Sequence, residues 1–410
     1  MLYTLNIANK KLKGSVQLPG SKSESNRALI IQQLCTEYSS IENLSAAADT
    51  QVLKHILTEF KSGGSNFDVK LAGTAMRFLT AFFASRDCNV ILTGSERMKQ
   101  RPIEILVNAL KQIDANIEYI EKLGFPPIKI IGKKLQGGKI SMDGSVSSQY
   151  ITALLLIAPT LSNGLEIELT GKITSEPYIE MTIQMMAHFG AEVKRDGNIL
   201  QIKPQLYTAK KYVVESDWSA ASYWYAMAAL SEEADIELIG LKRNSLQGDG
   251  VLSKLFEMFG VETTYNENTV HISKVSKQLP NTFEYDFSDC PDLAQTVAVI
   301  IAALKIPSKF SGLETLLIKE TNRVEALKNE LGKMGVEVII LNNGSIEIIP
   351  SQRINASNIV IETYDDHRMA MAFAPLALII ENLKINNPSV VEKSYPNYWE
   401  HLKKIGFSIS

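Results

Sequence analysis

Apolar positions along the chain fall into two alternating arrangements. In the first, a short extended stretch runs into small or acidic residues and then into an apolar run rich in Ala and Leu. It is written at "VQLPGSKSESNRALIIQQL", "VKLAGTAMRFLTAFFA", "ISMDGSVSSQYITALLLIA", "YVVESDWSAASYWYAMAAL", "YDFSDCPDLAQTVAVIIAAL" and "IETYDDHRMAMAFAPLALII". The last five copies are spaced by roughly seventy residues. Ser, Thr and Asp ahead of an apolar run are helix-capping residues. Each copy therefore predicts a strand, a tight turn and the start of a buried helix.

The second arrangement alternates with the first: "LVNALKQIDANIEYI", "IQMMAHFGAEVKR", "LFEMFGVETTY", "LKNELGKMGVEVII" and a truncated "HLKKIGFSI". Apolar residues at helical spacing give way, usually at a Gly that ends the helix, to the alternation of a strand. In "EALKNELGKMGVEVII", Leu327, Leu331 and Met334 line one helix face, Gly335 stops it, and Val336 and Val338 begin the strand. A turn then leads to another strand, as in "NNGSIEIIP". The predicted unit is strand–helix–strand–helix–strand–strand, about six times over. The first copy is clipped, because "HILTEFKSGGSNFDV" leaves no room for a closing strand pair. Two groups of three units predict two α/β domains. The chain start, "LNIANKKLKGSVQL", has no helix of its own and is expected to complete the C-terminal domain. The expected division is residues 1–19 with 215–410, and residues 20–214, with a hinge at the two crossings near Pro19 and Glu215.

A chain of 410 residues is too long for one core, which agrees with two domains. Composition narrows the class: 45% hydrophobic and 21% charged residues are ordinary for a soluble globular protein. A net charge of −3 argues against nucleic acid or an anionic membrane as partner. Cys35, Cys88 and Cys290 are scattered and form neither a disulfide framework nor a zinc pattern. No leader segment and no apolar run of membrane-spanning length is visible, so a cytoplasmic protein is expected.

Six buried helices with polar N-termini offer several clusters of backbone N–H groups at positive dipole ends, which suit anions and phosphate above all. "PGSKSESNRALI" adds Lys22 and Arg27 to such an end, where cations are unfavourable unless an anion arrives. Its "GSKS" lacks P-loop spacing. Other segments repeat the theme. "LAGTAMRF" has Gly73 and Thr74 at a turn with Arg77 behind, and "RMKQRPI" has Arg97, Lys99 and Arg101 before a helix with Pro102 in its first turn. "GSVSSQY" presents Ser147, Ser148 and Gln149, and "TSEPYIE" presents Ser175 and Tyr178. "IKETNRVEAL" has Lys319, Glu320 and Arg323, and "YDDHRMAM" has Asp366, His367 and Arg368. Taken singly, each has a plainer reading as a solvated charge or a cap. Their recurrence at one place in the repeating unit points to anion chemistry.

The motifs "PGSKSESNRALI", "AGTAMRF", "LTGSERMKQRPI", "GSVSSQY", "SEPYIE", "SDWSAAS", "IKETNRV" and "DDHRMAMAF", with Lys393 in "EKSYPNYWEHL", resemble those of the 5-enolpyruvylshikimate-3-phosphate (EPSP) synthase family in this order along nearly the whole chain. The resemblance implies two inside-out α/β domains, each of about three βαβαββ units with buried helices, closing like a clamp. It implies transfer of an enolpyruvyl group from phosphoenolpyruvate to shikimate 3-phosphate, with no metal or other cofactor and a monomeric chain. Carried over by position, Lys22, Ser23, Arg27, Ser147, Ser148, Gln149, Ser175, Tyr178, Asp292 and Lys319 would hold shikimate 3-phosphate. Lys22, Gly73, Arg101, Gln149, Arg323, Arg368 and Lys393 would meet phosphoenolpyruvate. Asp292 would serve the attacking hydroxyl, Glu320 the methylene carbon, and Lys22 would assist.

Departures from the family pattern are Leu71 before the "AGTAMR" turn and Thr315 before "KET". Two other readings compete. A sister enolpyruvyl transferase acting on UDP-N-acetylglucosamine shares the chemistry but usually carries a cysteine where this chain has "RMKQRP". A non-catalytic anion-binding module would need no pairing of Asp292 and Glu320 with the cations.

Overall fold

The computed structural model describes residues 1–145, 147–341, 344–351 and 358–410. The chain divides into two compact units, Met1–Gly20 with Glu215–Ser410, and Ser21–Val214. Among the described residues there are five four-stranded sheets and one of two strands.

Each four-stranded sheet is built by one rule. Two parallel strands flank a buried helix, and an antiparallel pair of strands completes the sheet. In the first unit, Lys11–Gln17 pairs parallel with Glu233–Ile239, which continues antiparallel through Thr269–Lys274 to Val261–Asn266. Phe283–Asp286, Ser308–Ser311, Ile346–Ile349 and Glu337–Ile340 repeat the order. The third sheet joins Val360–Ile361 and Leu383–Asn386 to Leu2–Ile7 and Phe407–Ile409, so the chain start supplies an interior strand at the chain end. In the second unit the same order recurs in Asn66–Asp68, Cys88–Thr93, Ile128–Gly132 and Asn116–Tyr119, and in Gly138–Asp143, Leu165–Thr170, Ile199–Ile202 and Lys194–Asp196. The clipped first copy has only Ile41–Glu42 paired parallel with Tyr212–Val213.

The fold is inside-out: helices lie at the centre and sheets outside. The reason is the pattern of the chain. Trp218–Leu230, Gly73–Ala84 and Ala294–Ala303 are apolar on nearly every side, and almost every residue in them is buried. A helix with no polar face is stable only when surrounded. Strands such as Glu233–Ile239 alternate exposed and buried positions, which suits a sheet with one wet face. None of the described helices is long and apolar enough to cross a membrane.

The helix-ending residues behave as their chemistry requires. Gly190, Gly260, Gly335 and Gly406 close four of the second-type helices at positive φ, and Asp114 takes that place in the remaining one. The reading of Met334 as helical is corrected: the helix spans Arg323–Gly332, and a turn carries the chain through Gly335 to the strand at Glu337. Pro102 likewise lies ahead of its helix, which is Glu104–Lys111. Its carbonyl accepts from Arg77 at 3.0 Å and from the Tyr150 hydroxyl at 2.6 Å, so it is tied to other helices rather than to the next turn of its own.

Candidate active site

In the Ser21–Val214 unit, several of the candidate side chains sit at helix starts, two of which are capped by serine. Ser21 accepts from the Glu24 N–H at 3.4 Å and opens Lys22–Leu34; Ser147 accepts from Gln149 N–H at 3.4 Å and opens Ser148–Ile157. Ser175 begins Glu176–His188 in a left-handed conformation, φ 55°. Lys22 lies at the first helical position, and its ammonium sits 3.2 Å from the buried carboxylate of Asp49.

Arg27 is almost wholly enclosed. Its guanidinium donates to Thr182 at 2.8 Å, to the Ser23 carbonyl at 2.9 Å, to the Tyr178 carbonyl at 3.1 Å and to Thr152 at 3.2 Å. Burial lowers its pKa to about 10, against the pull of Tyr178, Glu24 and Tyr212 in the other direction. With four of five N–H groups engaged, Arg27 ties three helices together as well as supplying charge.

Gly73 and Arg101 meet closely. A Cβ on Gly73 would stand 2.5 Å from Arg101 Nη1, so only glycine leaves the guanidinium its place. Arg77, seen in the sequence only as a residue behind the turn, joins both partners: it donates to the Gly73 carbonyl at 3.1 Å and to the Pro102 carbonyl beside Arg101. Arg97 and Lys99 make further contacts nearby in sequence and on the surface. Arg97 faces Gln100, and Lys99 pairs with Glu96 and Glu121 on the surface.

In the other unit a denser knot forms around Arg323, which is 2% exposed. It donates to Asp366 at 2.7 and 3.4 Å, to Asp292 at 3.0 Å and to Glu320 at 3.1 Å. Burial alone would lower its pKa, yet Asp366, Glu320 and Asp292 hold it above the usual value. Asp366 also caps His367–Phe373 through the Arg368 N–H at 2.9 Å. The Arg368 side chain pairs with Asp292 at 2.8 Å and reaches Tyr223 and Ser219 at 3.3 Å. Lys393, at the end of the 3-10 turn Pro388–Lys393, meets Glu320 at 2.7 Å. Lys319 follows the turn Glu314–Ile318 and is half-buried.

Asp292 and Glu320 thus each sit between two cations. Opposite charges about 4 Å apart are worth roughly 4 kcal/mol at an effective dielectric near 20, and such pairing is what allows buried charge at all. A third carboxyl is compensated less completely. Asp249 is buried and accepts from Ser219; burial first, and Asp292 second, raise its pKa to about 7, with Arg368 and the Ser219 bond offsetting only part of the rise. Asp249 and Asp49 were not singled out in the sequence. The signal in both cases is tertiary: acids at ordinary-looking positions that folding buries beside a functional charge.

A family model described as EPSP synthase (3-phosphoshikimate 1-carboxyvinyltransferase) matches residues 7–66 and 57–402. The chain is 50% identical to a 3-phosphoshikimate 1-carboxyvinyltransferase of Bacteroides fragilis, over 100% of this chain and 99% of that one. It is 35% identical to the enzyme so named in Mannheimia haemolytica, over 96% and 97%. Its fold resembles EPSP synthase from Acinetobacter baumannii with a TM-score of 0.78 at 21% identity, covering 100% and 99%.

Proposed function

The chain belongs to the EPSP synthase family, and from that premise we propose that it transfers the enolpyruvyl group of phosphoenolpyruvate to the 5-hydroxyl of shikimate 3-phosphate, yielding EPSP and phosphate. It is a 3-phosphoshikimate 1-carboxyvinyltransferase of the shikimate pathway, which supplies chorismate and the aromatic amino acids. It works in the cytoplasm as a monomer. The UDP-N-acetylglucosamine reading and the non-catalytic reading are not favoured.

The observation that carries the reading is the knot in which Asp292 and Glu320 are each shared between cations. Phosphoenolpyruvate brings a carboxylate and a phosphate that compete for Arg323, Arg368 and Lys393, and the family resemblance adds Lys22, Gly73, Arg101 and Gln149. Shikimate 3-phosphate draws on Lys22, Ser23, Arg27, Ser147, Ser148, Gln149, Ser175 and Tyr178, with Asp292 and Lys319.

As cations turn to substrate, Asp292 and Glu320 lose part of their compensation and become better able to take up protons. Asp292 takes the 5-hydroxyl proton while that oxygen bonds to C2, and C3 gains a proton at Glu320. In the resulting tetrahedral adduct the C2–O bond to phosphate breaks, the departing phosphate carries off the proton that Asp292 took, and C3 returns its proton to Glu320, which restores the double bond. Lys22 assists by holding charge on the departing phosphate.

Phosphate release is the test. Purified protein should liberate phosphate from phosphoenolpyruvate only with shikimate 3-phosphate present. Equal release with UDP-N-acetylglucosamine would overturn the substrate assignment. In the same assay Glu320→Gln should keep substrate binding and lose turnover by about a hundredfold or more, the scale of a positioned acid–base group; near-normal turnover would remove Glu320 from the mechanism.

A further inference from the structure

Seven residues beyond Arg323, the same helix carries a second buried charged group, which the reaction does not use. Glu330 is fully buried. The Tyr364 hydroxyl donates to its Oε1 at 2.8 Å, and the Glu362 N–H and the Lys333 ammonium donate to Oε2 at 3.0 and 2.6 Å. Burial, and then the bond to Glu330, pushes the Tyr364 hydroxyl up to about 12, so it stays a donor at any working pH. A buried carboxylate is costly unless it is fully bonded, and packing alone would be served by an apolar residue.

What this carboxylate grips is the bend at residues 362–366. Tyr364 and Asp365 are consecutive non-glycine residues at φ 52° and 55°. Side chains resist that conformation, so it persists only where the surroundings hold it. The bend ends at Asp366, which Arg323 grips. Positions seven apart lie on one helix face, so a single face of Arg323–Gly332 holds the bend at both ends. The bend is tied to a further element as well. Asn386 donates to Glu362 at 2.7 Å and Asn387 to Asp365 at 2.9 Å, and Asn387 opens the turn that ends in Lys393.

We propose that Glu330 is a positioning residue: by bracing the 362–366 bend it sets where Asp366 holds Arg323 and where Arg368 and Lys393 are presented to phosphoenolpyruvate. The inference rests on the functional reading above. Phosphoenolpyruvate is the substrate it affects, because the cations tied to the bend are those assigned to that substrate, not to shikimate 3-phosphate.

Two variants test it. Tyr364→Phe removes one hydroxyl at a part-exposed position, and Glu330→Gln keeps the side-chain shape without the charge. Amide hydrogen exchange, read without substrate, should speed up in both across residues 362–369 and 388–393 and stay unchanged elsewhere. In steady state, the KM for phosphoenolpyruvate should rise at least about fivefold and that for shikimate 3-phosphate by less than about twofold. The double variant should add nothing beyond Glu330→Gln, because both changes break one brace. Unchanged exchange in these segments overturns the brace. Normal or equally raised KM values for the two substrates overturn its part in the reaction, whatever happens to the melting temperature. Wild-type protein inert with both substrates would instead defeat the functional reading, while exchange still decides the brace.

Discussion

At the scale of single residues, the site is governed by how little room and how little water each charge has. Gly73 is the clearest case, because the Arg101 guanidinium occupies the volume that a Cβ would need. Gly73→Ala should push Arg101 aside and, on the proposed assignment of Arg101 to phosphoenolpyruvate, cost a charged hydrogen bond. Losses of that kind run to about 1.5–3 kcal/mol. The KM for phosphoenolpyruvate should therefore rise by roughly ten- to a hundredfold, with that for shikimate 3-phosphate little changed, as steady-state kinetics with each substrate varied would record. Asp249 predicts a pH effect. With its pKa raised from 3.8 to about 7, the folded protein keeps a proton there that the unfolded chain has released between those values. The stability this group contributes is full below about pH 4 and is lost as the pH rises through 7. Asp249→Asn should abolish that loss. Denaturant titrations from pH 5 to 8 should show the variant gaining on the wild type by on the order of 1 kcal/mol or more as pH rises; parallel curves would contradict the assignment.

At the scale of elements, helix starts carry most of the candidate site residues, and caps help decide where they start. Ser21, Ser147, Asp217, Asn322 and Asp366 each accept a backbone N–H with the side chain. Asn322 receives the Glu325 N–H at 3.2 Å and so fixes the turn that bears Arg323. Asn322→Ala should cost about 1 kcal/mol, the ordinary worth of a cap. Equilibrium unfolding should register the loss, and turnover should fall with it because Arg323 is the first residue of that helix. Capping residues before apolar runs were legible in the sequence, which is why most helix starts could be read there. Pro102 and Met334 were misread because their backbone is claimed by partners remote in sequence or by a turn, and local pattern does not record such claims.

At the scale of the whole molecule, each unit completes a sheet with strands far apart in its own sequence. Lys11–Gln17 precedes the helix Trp218–Leu230 in its sheet, whereas Tyr212–Val213 does so for Lys22–Leu34. Leu2–Ile7 lies between Leu383–Asn386 and Phe407–Ile409, with Leu5 wholly buried. Deleting residues 1–8 should therefore open the interior of the last sheet. Limited proteolysis should then cut first within residues 215–410 and leave 21–214 intact. Equal resistance of the two units would show that the strand is dispensable.

Periodicity and capping by themselves determined the repeating unit, its copy number, the clipped first copy and the recurrence of cations at helix starts, because these follow from local preference and from which faces must be buried. Only the tertiary structure decided which charges neutralise one another. Arg323 with Asp292, Glu320 and Asp366, Lys22 with Asp49, and Arg77 with the loop beside Arg101 are meetings between residues tens of positions apart or held by a backbone bend. Glu330 reads in the sequence as one more polar helix residue. Its burial and its grip on a left-handed bend arise from packing between elements, and a charge acquires its worth only when folding removes the water around it.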